Sequence, residues 1–196
     1  MMREGLSMIV PAAALIMAVT GALSPSLVLG EGGARRDVVR QAAESTEAER
    51  AAPSSLSKHA TILNRDGHVV RKGGNGWICI PDDPGTPGTD SICMNEPWLA
   101  FMEAKKNKQD PVIAQVGIAY MLQGDRPASN TDPYAGESKA GDDWVEGLGA
   151  HIMIRVPDQQ MLKNVPTDSK NGGPWVMWAG TPYAHLMIPI DSYSSQ

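Results

Sequence analysis

Apolar positions fall along the chain in short runs cut by glycine, proline and aspartate. Ala60–Leu63 and His68–Lys72 are β-prone and flank the turn sequence Asn64–Gly67, the pattern of a hairpin. Gly73–Gly76 is a second turn, and Trp77–Ile80 follows as a third short strand. From Glu96 to Lys108 the period changes: Trp98, Leu99, Met102 and the Ala100/Ala104 pair lie at helical spacing, and the closing lysines suit a helix C-terminus. Val112–Leu122 returns to a β pattern, and His151–Val156, Trp175–Trp178 and Tyr183–Ile190 read as further strands. Pro157–Leu162 fits one helical turn. A long polar loop separates Leu122 from Trp144. About seven short strands and one or two helices, not regularly interleaved, predict a single α+β domain built mainly on an antiparallel β sheet rather than a doubly wound one.

The first residues follow a different rule. Arg3 precedes the continuous apolar run Met8–Val19, Ser24-Pro25 breaks the pattern, and Val28-Leu29-Gly30 sets small residues at a cleavage position. This is the layout of a signal peptide over 1–30, with export to the periplasm or the extracellular space. An uncleaved anchor is the competing reading, since Met8–Leu29 is long enough to span a bilayer. Residues 31–57 are rich in Ala, Arg and Glu and form a flexible or helical N-terminal arm, helical from Arg35 to Ala51 and stopped by Pro53. The globular domain is then expected over 58–190, with 191–196 as a C-terminal tail.

Charge and cysteine content narrow the partners. The net charge is -5 and is unchanged by loss of 1–30, which removes Arg3 and Glu4 together. An acidic domain is not suited to nucleic acid or to anionic lipid, so no nucleic acid and no membrane are expected as partners after signal cleavage. An unknown small molecule or protein remains, and the cofactor is left open. Cys79 and Cys93 enclose a loop full of turn formers. In an oxidising compartment they are placed for a disulfide, whereas free thiols or a metal site are the alternatives.

Four stretches carry a resemblance: Asn75–Asp82 (NGWICIPD), Gly117–Asp125 (GIAYMLQGD), Ser129–Ala135 (SNTDPYA) and Gly172–Ile190 (GGPWVMWAGTPYAHLMIPI). Together they resemble a family of uncharacterised exported bacterial proteins. The resemblance implies that 58–190 is the domain unit and that the leader is a leader. It implies no activity, cofactor or catalytic residue.

Standard catalytic motifs are absent: no GxSxG elbow, HExxH, Walker loop or GxGxxG after a strand occurs. Three constellations remain. The first is a repeated His-x-Met, His151/Met153 and His185/Met187. In a strand, residues two apart share a face, so each segment presents an imidazole and a thioether together, donors that suit copper. Methionine-rich core packing is the plain alternative. The second is acidic, with Asp125, Asn130, Asp132, Asp142 and Asp143 in or beside the long loop, as in a calcium site or in ordinary Asx turns. The third is aromatic: Trp77, Tyr134, Trp144, Trp175, Trp178 and Tyr183 lie near turns, as platforms for a ligand or as core. The function expected is thus a non-catalytic ligand- or partner-binding domain. The alternatives are a hydrolase-like enzyme using His151 or His185 as base, beside an Asp or Tyr183, and a copper-binding periplasmic protein. His59 and His68, flanking the hairpin, are expected at the surface.

Overall fold

The computed structural model describes residues 31–190. The expected signal peptide and C-terminal tail lie outside the described residues. Two α-helices, α1 (Glu31–Glu49) and the short α2 (Ser54–Ser57), lead into strands β1 (Thr61–Leu63), β2 (Val69–Arg71), β3 (Trp77–Ile80) and β4 (Ile92–Asn95). Helix α3 (Glu96–Lys106) follows, then β5 (Gly117–Met121), β6 (Ala128–Ser129), β7 (Trp144–Val145) and β8 (His151–Arg155). A 3-10 turn (Gln159–Leu162) precedes β9 (Trp175–Met177) and β10 (His185–Pro189). The fold is α+β, as the patterning predicts. Among the described residues, no helix is long and apolar enough to cross a membrane.

Eight strands form one sheet in the order β2-β1-β3-β4-β5-β8-β10-β9, and β6 and β7 pair separately. All neighbours in the large sheet are antiparallel except β1 and β3. The register lays side chains out in rows. One row runs Met94, Ala119, Met153, Met187, Trp175 across β4, β5, β8, β10 and β9, and all five are buried. On the other face Ile62, Cys79, Cys93 and Tyr120 form a row across β1, β3, β4 and β5. Cys79 and Cys93 are directly paired, 4.0 Å apart at Cα, and joined by the disulfide.

Helix α3 covers the methionine face. Its start is fixed by Asn95, whose Oδ1 accepts from Trp98 N at 3.2 Å and Ile118 N at 2.9 Å while its Nδ2 donates to the Val116 carbonyl. One side chain thus caps the helix and ties it to β4 and β5. Gly117 permits the close approach, since a Cβ there would lie 3.2 Å from Trp98 N. Trp98 and Phe101 point down into the main core. The opposite face is closed at one end by Ala48, Ala51 and Ala52 and at the other by Leu162, Val176 and Ala184. Ala48, Ala51 and Ala52, expected within the N-terminal arm, therefore belong to a packed cluster, while α1 before Glu44 is exposed wherever its side chains are described.

Candidate functional site

The floor of the site is built by the pairing of β8 with β10. Met187 lies directly opposite Met153, and Pro189 opposite His151. The two His-x-Met segments are adjacent antiparallel strands with all four side chains on one buried face. Because the strands run in opposite directions, the two methionines meet in the middle and the histidines go to opposite ends. Four residues of offset at about 3.4 Å per residue separate the rings along the strands. The quartet is thereby split. His185 instead has Met177 directly across on β9 and Met187 two residues on, whereas His151 has Met121 across on β5 and Met153 two residues on. Strand β9 lies at the sheet edge, not between the segments.

Above His185 opens a cavity of about 490 Å³. Met153, Met177, Met187 and His185 line it from the sheet, Trp98 and Phe101 from α3, and Trp144 and Trp178 complete its aromatic lining. Asp90, Lys105, Asp125, Arg126 and Asp132 supply charge to its lining. His151 is not among the lining residues.

The histidine rings are held from the backbone. His185 Nδ1 is 3.0 Å from the Tyr183 carbonyl and His151 Nδ1 is 2.7 Å from that of Gly149. A carbonyl only accepts, so Nδ1 carries the proton and Nε2 presents a lone pair. Both Nε2 atoms are buried without a hydrogen-bond partner among the described residues, as is the indole N–H of Trp98. Burial pushes the His185 pKa down to about 4, opposed by the Tyr183 carbonyl and reinforced by the charge of Arg155. Burial lowers His151 as well. The His185 ring meets Trp178, Trp98 and Phe101 at centroid distances of 4.9, 5.4 and 5.9 Å.

The rim is also shaped by burial. The half-buried Asp125 carboxyl is pushed up to about 7, mainly by desolvation, with the N–H and charge of Arg126 opposing. Lys105 is lowered, first by desolvation and then by Arg126. Its Nζ sits 4.9 Å from the Trp178 ring centroid. Trp178 has φ of 55°, a left-handed conformation rare for a bulky residue. It is pinned there by Trp178 N to the Asn130 carbonyl at 2.7 Å and Nε1 to the Ser129 carbonyl at 2.9 Å.

The remaining expected residues disperse. Trp144 and Trp178 line the cavity, but Tyr134 lines a neighbouring groove with Asp132 and Glu137. Trp175 is a buried core residue of the methionine row. Trp77 lies on the opposite face against Tyr120, with ring centroids 5.5 Å apart. Tyr183 is buried, and its hydroxyl donates to the Gln109 carbonyl at 2.9 Å and accepts from Tyr134 at 2.6 Å, with no histidine bonded to it. His59 and His68 are exposed. In the long loop Asp132 and Asp142 cap turns, accepting from Tyr134 N and Lys139 N, while Asp143 accepts from the side-chain amide of Asn130 across the loop. Among the described residues no three His, Cys, Asp or Glu side chains are grouped to hold a metal ion.

Phe101, Lys105, Met121 and Met177 are site residues that sequence reasoning did not single out. The helical stripe of α3 was the signal for the first two. Met177 and Met121 needed the strand register. Comparison with protein-family models, curated proteins and solved structures finds no match. Fold and site together define an α+β domain with a cavity between a methionine-floored sheet and one covering helix.

Proposed function

We propose that this is an exported, non-catalytic domain that binds a small, mainly apolar molecule with one polar end in the cavity over β8 and β10. The observation that carries the reading is the cavity's make-up. Its volume is within the range of about 300–1,000 Å³ typical of ligand sites, and aromatic rings and thioethers line it together with the charged side chains of Asp90, Lys105, Asp125, Arg126 and Asp132. Two further features support it. Trp98 lines this space, and its indole N–H is buried without an acceptor among the described residues, a cost that a ligand's acceptor would offset. Trp178 holds a strained backbone at the wall, and such strain concentrates at ligand clamps. The leader pattern, the disulfide and the family resemblance support export.

A hydrolytic reading has less to work with. The ring of His185 bonds a backbone carbonyl, and its depressed pKa makes it a weak base near neutrality.

The test is titration with an anilinonaphthalene sulfonate dye, followed by dye fluorescence and by quenching of tryptophan. One saturable site is expected. Trp178→Ala should weaken binding about tenfold, the effect of losing an aromatic wall, while Trp77→Ala, on the opposite face, should leave it unchanged. Absence of saturable binding, or equal loss in both variants, sinks the reading.

A further inference from the structure

The floor of the cavity carries a second kind of chemistry that does not depend on an organic ligand. We propose that it is a binding site for monovalent copper, with His185 Nε2 and the thioethers of Met177 and Met187 as ligands and Met153 as a fourth donor in the same row.

Four observations converge on it. His185, Met153, Met177 and Met187 all line the one cavity. Register places Met177 directly across from His185, where opposed Cβ atoms lie about 4.5–5.5 Å apart. Met187 is two residues further along the same face, within reach of a flexible side chain. The imidazole keeps one nitrogen free: Nδ1 is bonded to the Tyr183 carbonyl, and Nε2 is buried without a partner among the described residues. A backbone carbonyl on the far nitrogen is the usual device for fixing a ligating histidine.

The donor set selects the ion. Imidazole with thioethers suits copper(I) over hard cations, which need oxygen. All these donors are neutral, so the ion brings its whole charge into a buried place. Arg155, facing His185 across β8, is itself buried at 4% exposure and already places one positive charge nearby. A monovalent ion adds least to that load, and Asp125 on the cavity wall supplies a counter-charge when ionised. The site differs from a convergence of both His-x-Met segments, because His151 is on the far side of the methionine pair.

The experiment is an anaerobic titration of the full chain with copper(I) against a bathocuproine competitor. Silver(I) serves as the redox-inert check, and X-ray absorption is measured on the loaded protein. One ion per chain is expected, ligated by one nitrogen and two or three sulfurs, with quenching of tryptophan because Trp178 packs on His185. Met177→Leu and Met187→Leu preserve volume and should each weaken binding at least about tenfold. Met161→Leu, 69% exposed and away from the cavity, should not. Absence of binding to folded protein, a nitrogen- and oxygen-only shell, or affinity unchanged in both cavity variants overturns the proposal. The wild-type spectrum decides it even if a variant folds poorly. Dye binding without copper binding removes the copper site alone, and copper binding without dye binding removes only the organic-ligand reading.

Discussion

His185 shows how one buried ring ties stability to pH. Its pKa falls from the ordinary 6.5 to about 4 because desolvation penalises the imidazolium. Between those values the unfolded chain takes up a proton that the folded ring refuses, so this contribution is complete above 6.5 and is lost as the pH drops toward 4. The loss is about 3 kcal/mol for a shift of this size. His151 acts in the same direction. Asp125 acts in the other: its carboxyl is raised to about 7, so its contribution is lost as the pH rises through that value. The two slopes overlap, so the measurement is a difference. Urea unfolding of wild type and His185→Leu, compared from neutral pH to pH near 4, should show the gap between them shifting by about 3 kcal/mol against the wild type. A constant gap would mean that the ring takes up protons in the folded state.

At the scale of elements, legibility followed periodicity. The β1–β2 hairpin was readable from Asn64–Gly67, and α3 from its apolar stripe, because both are local patterns. Strand β4 is not legible in the sequence pattern. Ile92–Asn95 abuts the helix with no turn between, and the glycine- and proline-rich segment before it reads as continuous loop. The His-x-Met pairs were visible because strand period is two, but which methionine faces which histidine is set by register, and register is a tertiary property. So the pairing of Met177 with His185 is not visible in the sequence, and the repeated His-x-Met suggests a grouping with His151 that the register splits. The disulfide illustrates the reverse case, since two cysteines around one loop leave few options. It joins β3 to β4 at directly opposed positions. Removing it with Cys79→Ala/Cys93→Ala should lower unfolding free energy by about 3 kcal/mol with the secondary structure kept, as read by circular dichroism during urea titration. An unchanged midpoint would show that neighbouring packing alone fixes the loop.

At the scale of the molecule, the sheet has two faces that need different covers. The methionine face is covered by α3 and carries the cavity. The disulfide face depends on the end of α1 and on α2, through contacts that a boundary at Lys58 would cut. Ala48 and Ala51 are fully buried and Ala52 nearly so. The Ala51 carbonyl accepts from Leu122 N at 3.0 Å, and Glu47 accepts from Asp82 N. Glu49 pairs with Arg71, whose guanidinium also bonds the Ser57 and Ala60 carbonyls. Without these residues Ile62, Cys79 and Cys93 would face water, and Arg71 would lose its carboxylate. The exposed part of α1 before Glu44 makes no comparable contribution where it is described. Two truncations separate these parts. A chain beginning at Ser45 should keep its cooperative thermal transition and its dye binding within experimental error. A chain beginning at Lys58 should lose on the order of 3–5 kcal/mol, from exposed apolar surface and broken buried hydrogen bonds. Because β4 and β5 continue from the disulfide face into the methionine floor, that loss should reach the cavity as weaker binding. Equal stability of the two truncations would show that the sheet holds its shape without the α1–α2 layer, and would move the domain boundary back to Lys58.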